Sequence, residues 1–202
     1  MKLYDSQAAP NPRRVRVFLA EKGITVPIEQ VDITKAVNRE PAFRAKNPLG
    51  TVPVLELDDG TCIAESVAIC RYFEETQPAP PLMGIDARDR AVVEMWQRRM
   101  ELELFIPIAQ VFRNSHPFFA GRIPQVAEWG EVSRKHAEAT MAWLDRELAG
   151  REFIAGPRYT IADVTALCGI DFGRVSKIRI APELANLSRW YAAVSARPSA
   201  KA

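Results

Sequence analysis

Cysteine and histidine are scarce in this chain, and their scarcity removes several classes of chemistry. Three cysteines, Cys62, Cys70 and Cys168, and two histidines are scattered through 202 residues. Such spacing offers no ligand set for a metal, so none is expected. No Cys-x-x-Cys pair is present, which argues against dithiol redox exchange. An odd number of thiols set among apolar residues predicts buried, reduced cysteines and a cytoplasmic location. No apolar run approaches the roughly 20 residues of a spanning helix, so no membrane association is expected. No basic segment followed by an apolar one suggests a secretory leader. Neither sign of charge dominates: 27 basic against 25 acidic side chains leave a formal net charge of +2. The two signs are interleaved, with no basic stripe to hold a nucleic acid. Internal repeats and low-complexity tracts are missing too.

What is present is an ordinary globular composition, 48% hydrophobic and 26% charged, enough to bury a core. The first third alternates in type. Lys2 to Asp5 reads as a strand, and Pro12 to Lys22 as a helix closed by Gly23. Val26 to Val31 reads as a second strand and Pro41 to Lys46 as a short helical piece. Thr51 to Leu57 and Cys62 to Ala64 form a hairpin through Asp58-Asp59-Gly60, and Glu65 to Glu75 is a helix. The segment Gln77-Pro78-Ala79-Pro80-Pro81 breaks any helix and reads as a linker. Beyond it the pattern predicts only helices, over Asp86 to Phe112, Glu131 to Leu148, Ile161 to Val175 and Pro182 to Ala196. A small α/β domain over 1–77, a linker over 78–86 and an all-helical domain over 87–202 follow from this change of pattern.

Three stretches carry a resemblance. The first is Asn47-Pro48-Leu49-Gly50-Thr51-Val52-Pro53-Val54-Leu55, with Ile63-Ala64-Glu65-Ser66-Val67-Ala68-Ile69 after it. The second is Tyr159-Thr160-Ile161-Ala162-Asp163-Val164, and the third is Ala196-Arg197-Pro198-Ser199. In this order and spacing they resemble the cytosolic glutathione transferases along nearly the whole chain. The implied fold is an α/β thioredoxin-like N-terminal domain plus an all-α C-terminal domain. Thr51 to Glu65, with Glu101-Leu102-Glu103-Leu104, further resembles a fungal and bacterial branch that lacks the usual catalytic tyrosine, serine or cysteine.

The resemblance implies attack of the glutathione sulfur on a small-molecule electrophile, with glutathione as co-substrate. A free cysteine thiol has a pKa of about 8.5, so only a few per cent is thiolate near neutral pH. The protein must therefore hold the tripeptide and favour its anion. For holding, the resemblance makes the Val52–Pro53 peptide cis, turning the Val52 backbone outward to pair with glutathione like an added strand; the alternative is an ordinary edge-strand proline. Glu65 and Ser66 open a helix where an ammonium and a carboxylate, the two charges of the γ-glutamyl end, find partners. Read alone, they are an N-cap with an acidic first turn. Asn38 and Thr51 match positions that line the glycyl or cysteinyl side, or are solvated loop residues.

Activation leaves more routes open. The position that carries the catalytic side chain in serine-type and cysteine-type relatives falls on Ala9, Tyr4 lies too early inside its strand, and no cysteine is in the loop. Three devices remain: the N-terminus of the helix, with Asn11 as N-cap and Pro12 at the first helical position; the Asn11 amide as a direct donor rather than only a cap; and a water held by polar groups of the helical domain, for which Asn114, Ser115 and His116 are candidates. Ser6 is a further candidate. An apolar second substrate implies a wall from the segment Met100 to Phe119, with Leu104, Ile108 and Phe112 as its expected members, although helical spacing there also fits plain core. Thr160 and Asp163 read as a structural capping box. The family implies a homodimer. A non-catalytic glutathione-binding or regulatory module, and a glutathione-dependent peroxidase or disulfide reductase, stand as alternatives.

Overall fold

A computed structural model describes all 202 residues, Met1–Ala202. The chain divides into two units, Met1–Leu82 with Lys201–Ala202, and Met83–Ala200. No helix is long and apolar enough to cross a membrane.

The first unit is a four-stranded mixed sheet of order β2-β1-β3-β4, with β1 Lys2–Asp5, β2 Ile28–Gln30, β3 Val54–Glu56 and β4 Cys62–Ala64. β1 pairs parallel with β2 and antiparallel with β3, and β3 pairs antiparallel with β4. Its helices are α1 Pro10–Lys22, α2 Pro41–Arg44 and α3 Ser66–Thr76. Alternation along a strand sends neighbouring side chains to opposite faces. Tyr4 and Val54, a cross-strand pair, pack with Val31 and Phe43. Leu3 and Leu55, the adjacent pair, have no exposed surface, nor do Val15 and Phe18 of α1 or Ile69 of α3.

Two buried ion pairs fix this unit's loops. Asp5, at the end of β1, receives Arg16 of α1 at 2.5 Å and the Gln30 amide at 2.6 Å. Arg16 also donates to the Gln7 carbonyl at 3.1 Å, which pins the turn between β1 and α1. The Lys22 ammonium, buried, meets Glu74 at 2.8 Å and the carbonyls of Gln77 and Pro80 at 2.7 and 2.9 Å. Glu74 in turn accepts the Leu82 N–H at 3.0 Å. The proline-rich stretch read as a linker is strapped to the first unit through residue 82. Composition identified its helix-breaking character but not the buried lysine that holds it.

The start of α1 differs from expectation. Its N-cap is Ala9, in extended conformation, with no side-chain cap bond, and the helix begins at Pro10 rather than with Asn11 as cap. A proline pushes the residue before it out of the helical region, and Pro10 does this to Ala9. Pro10 and Pro12 then occupy the first and third helical positions, where an N–H would have no intrahelical partner anyway. Gly23 closes the helix at φ 65°, bonding back to Ala20 and Leu19, as the sequence indicated.

The second unit contains α4 Ala87–Arg99, α5 Ile106–Ser115, α6 Ala127–Glu147, α7 Ile161–Gly173 and α8 Ala185–Ser195. The continuous helix expected from Asp86 to Phe112 is interrupted by a π-helical stretch, Met100–Phe105. Pro107 explains it: lacking an N–H, it cannot bond to the carbonyl of Glu103, and its ring would crowd that carbonyl. The helix widens there, and Ile106 donates five residues back, to Glu101. Helix α6 begins at Ala127, ahead of the expected Glu131, and runs through Gly130. A Cβ there would lie 3.3 Å from the Asn114 Cβ, so the glycine admits a close crossing of α5.

Helix α7 is the core of this unit, with every residue from Ile161 to Ile170 buried. Asp163 organises its start. One carboxylate oxygen accepts the Thr160 N–H at 2.9 Å and hydroxyl at 3.1 Å. The other accepts Ile154 N–H at 3.0 Å and the Trp190 indole at 2.8 Å. Asp163 is therefore structural, joining the loop before α7 to α8.

Candidate functional site

The turn after β1 and the start of α1 present few polar groups. Ala9, the position that the resemblance assigns to an activating side chain, carries only a methyl group. The Tyr4 phenol is turned into the sheet, donating to Glu56 at 2.6 Å, and burial raises its pKa. Cys62 packs against the Tyr4 cluster, while Cys70 and Cys168 are buried. The Ser6 hydroxyl makes no hydrogen bond within the chain, although the residue is only 7% exposed. Asn11 is exposed, and its Oδ1 accepts from Arg14 at 3.2 Å. That contact leaves the Asn11 amide NH₂ without a partner. Because Pro10 and Pro12 lack an N–H, Asn11 supplies the one backbone donor among the first three helical positions.

The other half of the site lies at one end of the sheet. Val54 pairs with Ala64, so the antiparallel register brings the residues just before β3 and just after β4 to the same end. Those residues are Val52–Pro53 and Glu65–Ser66. The Val52–Pro53 peptide is cis. Neither the N–H nor the C=O of Val52 has a hydrogen-bond partner in the chain, while the Val52 side chain rests on the Tyr4 cluster. An open peptide edge of this kind accepts an extended peptide as an added strand.

Glu65 and Ser66 face the same end. Glu65 is the N-cap of α3 at φ 69° and ψ 121°, caps nothing with its side chain, and is exposed. A glutamate with positive φ is held by its surroundings at a cost of about 1–3 kcal/mol, a feature concentrated at ligand sites. Its carboxylate has no ion-pair partner, and the Ser66 hydroxyl, on a residue 5% exposed, has no hydrogen bond. The first intrahelical bond at this end runs from Ile69 N–H to Glu65 C=O at 3.0 Å, so the N–H groups of Ser66, Val67 and Ala68 remain free. A free carboxylate next to free donors at a helix N-terminus receives an ammonium and a carboxylate side by side. Sequence flagged Glu65 and Ser66 but gave no sign of the positive φ.

Asn38 and Thr51 serve the loop that carries Val52. Asn38 Nδ2 donates to the Gly50 carbonyl at 2.7 Å. Gly50 has φ 60°, and a Cβ on it would lie 2.6 Å from the Asn38 carbonyl oxygen. The carbonyl and hydroxyl of Thr51 accept from Asn47 Nδ2 at 3.0 and 2.9 Å. Thr51 itself is exposed and keeps its hydroxyl proton to donate.

In the helical unit, the Ser115 hydroxyl donates to the Val111 carbonyl at 2.7 Å. Asn114 is committed to Gln110 and to Val126 N–H. His116 caps the end of α5; its Nδ1 accepts the Phe118 N–H at 3.1 Å, which leaves Nε2 as the donor of the neutral ring. Leu104 and Ile108, expected on a pocket wall, have no exposed surface. They belong to the core, as the buried-face spacing of this helix also allowed. Phe112 is half-buried at the hub of an aromatic cluster, 4.6 Å from His116, 5.3 Å from Phe119 and 5.0 Å from Phe172 between ring centres.

Comparison with known proteins bears on the whole chain. Residues 8–76 match the glutathione S-transferase N-terminal domain and residues 115–198 the C-terminal domain. Glutathione S-transferase 2 of Saccharomyces cerevisiae is 38% identical over 205 residues, covering 100% of this chain and 88% of that protein. The crystal structure of Gtt2 from Saccharomyces cerevisiae superposes with a TM-score of 0.95 at 38% identity, covering 100% of this chain and 99% of that one. A glutathione S-transferase domain-containing protein of Marinobacter aquaeolei gives 0.93 at 43% identity, over 98% and 99% of the two chains. On these grounds, and with a mixed four-stranded unit followed by a helical one, the chain belongs to the glutathione S-transferase family.

Proposed function

We propose that this member binds glutathione along the Val52–Pro53 edge and the start of α3, and promotes attack of its thiolate on small apolar electrophiles. The observation that carries the reading is the grouping of unpaired functions at one end of the sheet. The Val52 peptide, the Glu65 carboxylate and the Ser66 hydroxyl and N–H all lack partners in the chain. The tripeptide supplies a complement to each: a backbone to the Val52 edge, an ammonium to Glu65 and a carboxylate to Ser66. Thr51 and Asn38 flank it on the glycyl or cysteinyl side.

Thiolate formation is assigned to the start of α1, with Ser115 and His116 of the second unit as alternative candidates. A helix terminus contributes about 0.3–1 kcal/mol, less than one pKa unit, so it does not suffice alone. The free amide of Asn11 and its backbone N–H add direct donors. Of the alternative candidates, Ser115 has its hydroxyl proton committed to the Val111 carbonyl, so His116 Nε2–H is the available donor. Phe112, with Phe118 and Phe119, supplies an apolar wall for the electrophile. Family membership supports a cytoplasmic homodimer working in detoxification.

One observation favours a second reading, in which glutathione is bound but not turned over: Ala9 provides no side-chain chemistry at the expected position. Retention on immobilised glutathione followed by a chromogenic conjugation assay separates the two. The proposal expects both retention and conjugation. Retention without conjugation across a broad electrophile set would establish the binding module, and failure to be retained would remove both readings.

A further inference from the structure

We propose that the second unit carries a separate site for a small aromatic carboxylate, in the cavity between the end of α7, the segment Ile178–Ile180 and α8. This cavity has a volume of about 190 Å³. Its floor is apolar: Ile170, Ile178 and Ile180 line it, and the first two are 5% and 2% exposed. Its rim carries two guanidinium groups, Arg174 and Arg179, with the Ser188 hydroxyl and the Tyr191 ring.

The two arginines differ in how their charge is used. Arg174 lies 3.6 Å from Asp171 and donates to the Tyr191 hydroxyl. Tyr191 in turn donates to Asp171. Burial raises the Tyr191 pKa, so the phenol stays neutral and the Arg174–Asp171 charges offset each other. Arg179 has no hydrogen bond and no ion pair in the chain, and the Ser188 hydroxyl is likewise unpartnered. The uncompensated charge at the rim is therefore positive, and it stands beside a free hydroxyl above an apolar floor.

That arrangement selects the ligand. A guanidinium prefers a planar anion that takes two parallel hydrogen bonds, which a carboxylate provides. The isoleucine floor and tyrosine ring require an apolar body on the same molecule. Ligand pockets for drug-sized molecules run to roughly 300–1,000 Å³, so this smaller cavity admits one or two fused rings. A rigid aromatic body loses little freedom on binding, unlike an alkyl chain.

The test uses the full chain, with the proposed glutathione site saturated by S-hexylglutathione, and calorimetric titration with 1-naphthoate. The expected result is one 1-naphthoate per chain, unaffected by S-hexylglutathione and bound at least about tenfold more tightly than neutral 1-naphthalenemethanol. Arg179→Gln, an exposed substitution that leaves the melting temperature unchanged, should weaken 1-naphthoate about tenfold. Ser188→Trp should fill the cavity and abolish binding; if it misfolds, the arginine variant still decides. Displacement by S-hexylglutathione, equal affinity for the neutral probe, indifference to Arg179→Gln, or no binding at about 1 mM would each overturn the proposal.

Discussion

Ser66→Ala isolates the binding claim from the architecture. The Ser66 hydroxyl bonds to nothing in the chain, and α3 is capped by Glu65 without a side-chain bond. Removing one oxygen therefore breaks no intramolecular contact, and alanine is a better helix former than serine. The apo protein should melt within a degree or two of wild type. In the complex, the hydroxyl is assigned to the γ-glutamyl carboxylate. A hydrogen bond to a charged group contributes about 1.5–3 kcal/mol, which corresponds to a rise in the glutathione Kd of about 10- to 150-fold. The neighbouring free N–H groups of α3 retain part of the carboxylate contact, so the lower half of that range is expected. Calorimetric titration with glutathione, paired with a thermal melt of the apo protein, reads both quantities. An unchanged Kd would remove the carboxylate from this helix start. A large fall in melting temperature with binding preserved would show that Ser66 serves the fold instead.

Glu65 allows charge and backbone to be varied separately. Glu65→Gly relieves the positive φ and should raise the melting temperature, the gain of about 1–3 kcal/mol being reduced by the added freedom of the unfolded chain. Glu65→Gln keeps the strain, and both variants should lose glutathione affinity; a stabilised glycine variant that binds normally would deny the glutamate its role. Asp163 gives a pH signature. Burial pushes its carboxyl up to about 6 from 3.8, so the folded state holds the proton more tightly than the unfolded one. Its contribution is fully present below about pH 3.8 and is lost as pH rises through 6, up to about 3 kcal/mol relative to Asp163→Asn. Denaturant melts of both proteins at pH 4 to 7 should show this; a constant difference would refute it. Asp163→Ala, which strands the Trp190 indole and two backbone N–H groups, should cut stability and refolding yield while the folded fraction binds glutathione normally. Finally, Asn11→Ala should raise the apparent pKa of bound glutathione more than His116→Ala, read by thiolate absorbance; the opposite order would move activation to the helical unit.

The features legible in the sequence share one property: their signals are local. Gly23 ends α1, Asp58-Asp59-Gly60 turns the hairpin and Thr160 with Asp163 starts α7, because each acts on backbone within a few residues. The misplaced elements are those decided at a distance. The start of α6 lies at Ala127 rather than Glu131, and the place of Gly130 inside it makes sense only once α5 is seen crossing at Asn114. Pro107 lies inside the stretch read as one long helix, and only the bond from Ile106 to Glu101 reveals the wider turn that absorbs it. The buried Lys22 reaches across more than fifty residues to Gln77 and Pro80, and no pattern within either segment announces the other.

The site divides along the same line. The proposed holding of the tripeptide rests on side chains and a proline whose order in sequence is informative, so Val52, Pro53, Glu65 and Ser66 stand out together there. Activating it depends on which backbone donors are left unpaired, and that is a property of helix register. Moving the first helical position of α1 from Pro12 to Pro10 changes the chemistry: two of the first three positions have no N–H, and the whole donor capacity of that helix end falls to Asn11. A terminus with one amide is a weaker anion site than one with three, since each orphan N–H carries part of the helix's positive end. With Ala9 silent beside it, this end requires support that an ordinary terminus would not. Within the first unit that support falls to the Asn11 side-chain amide, which is why Asn11→Ala is the variant expected to move the thiol pKa most.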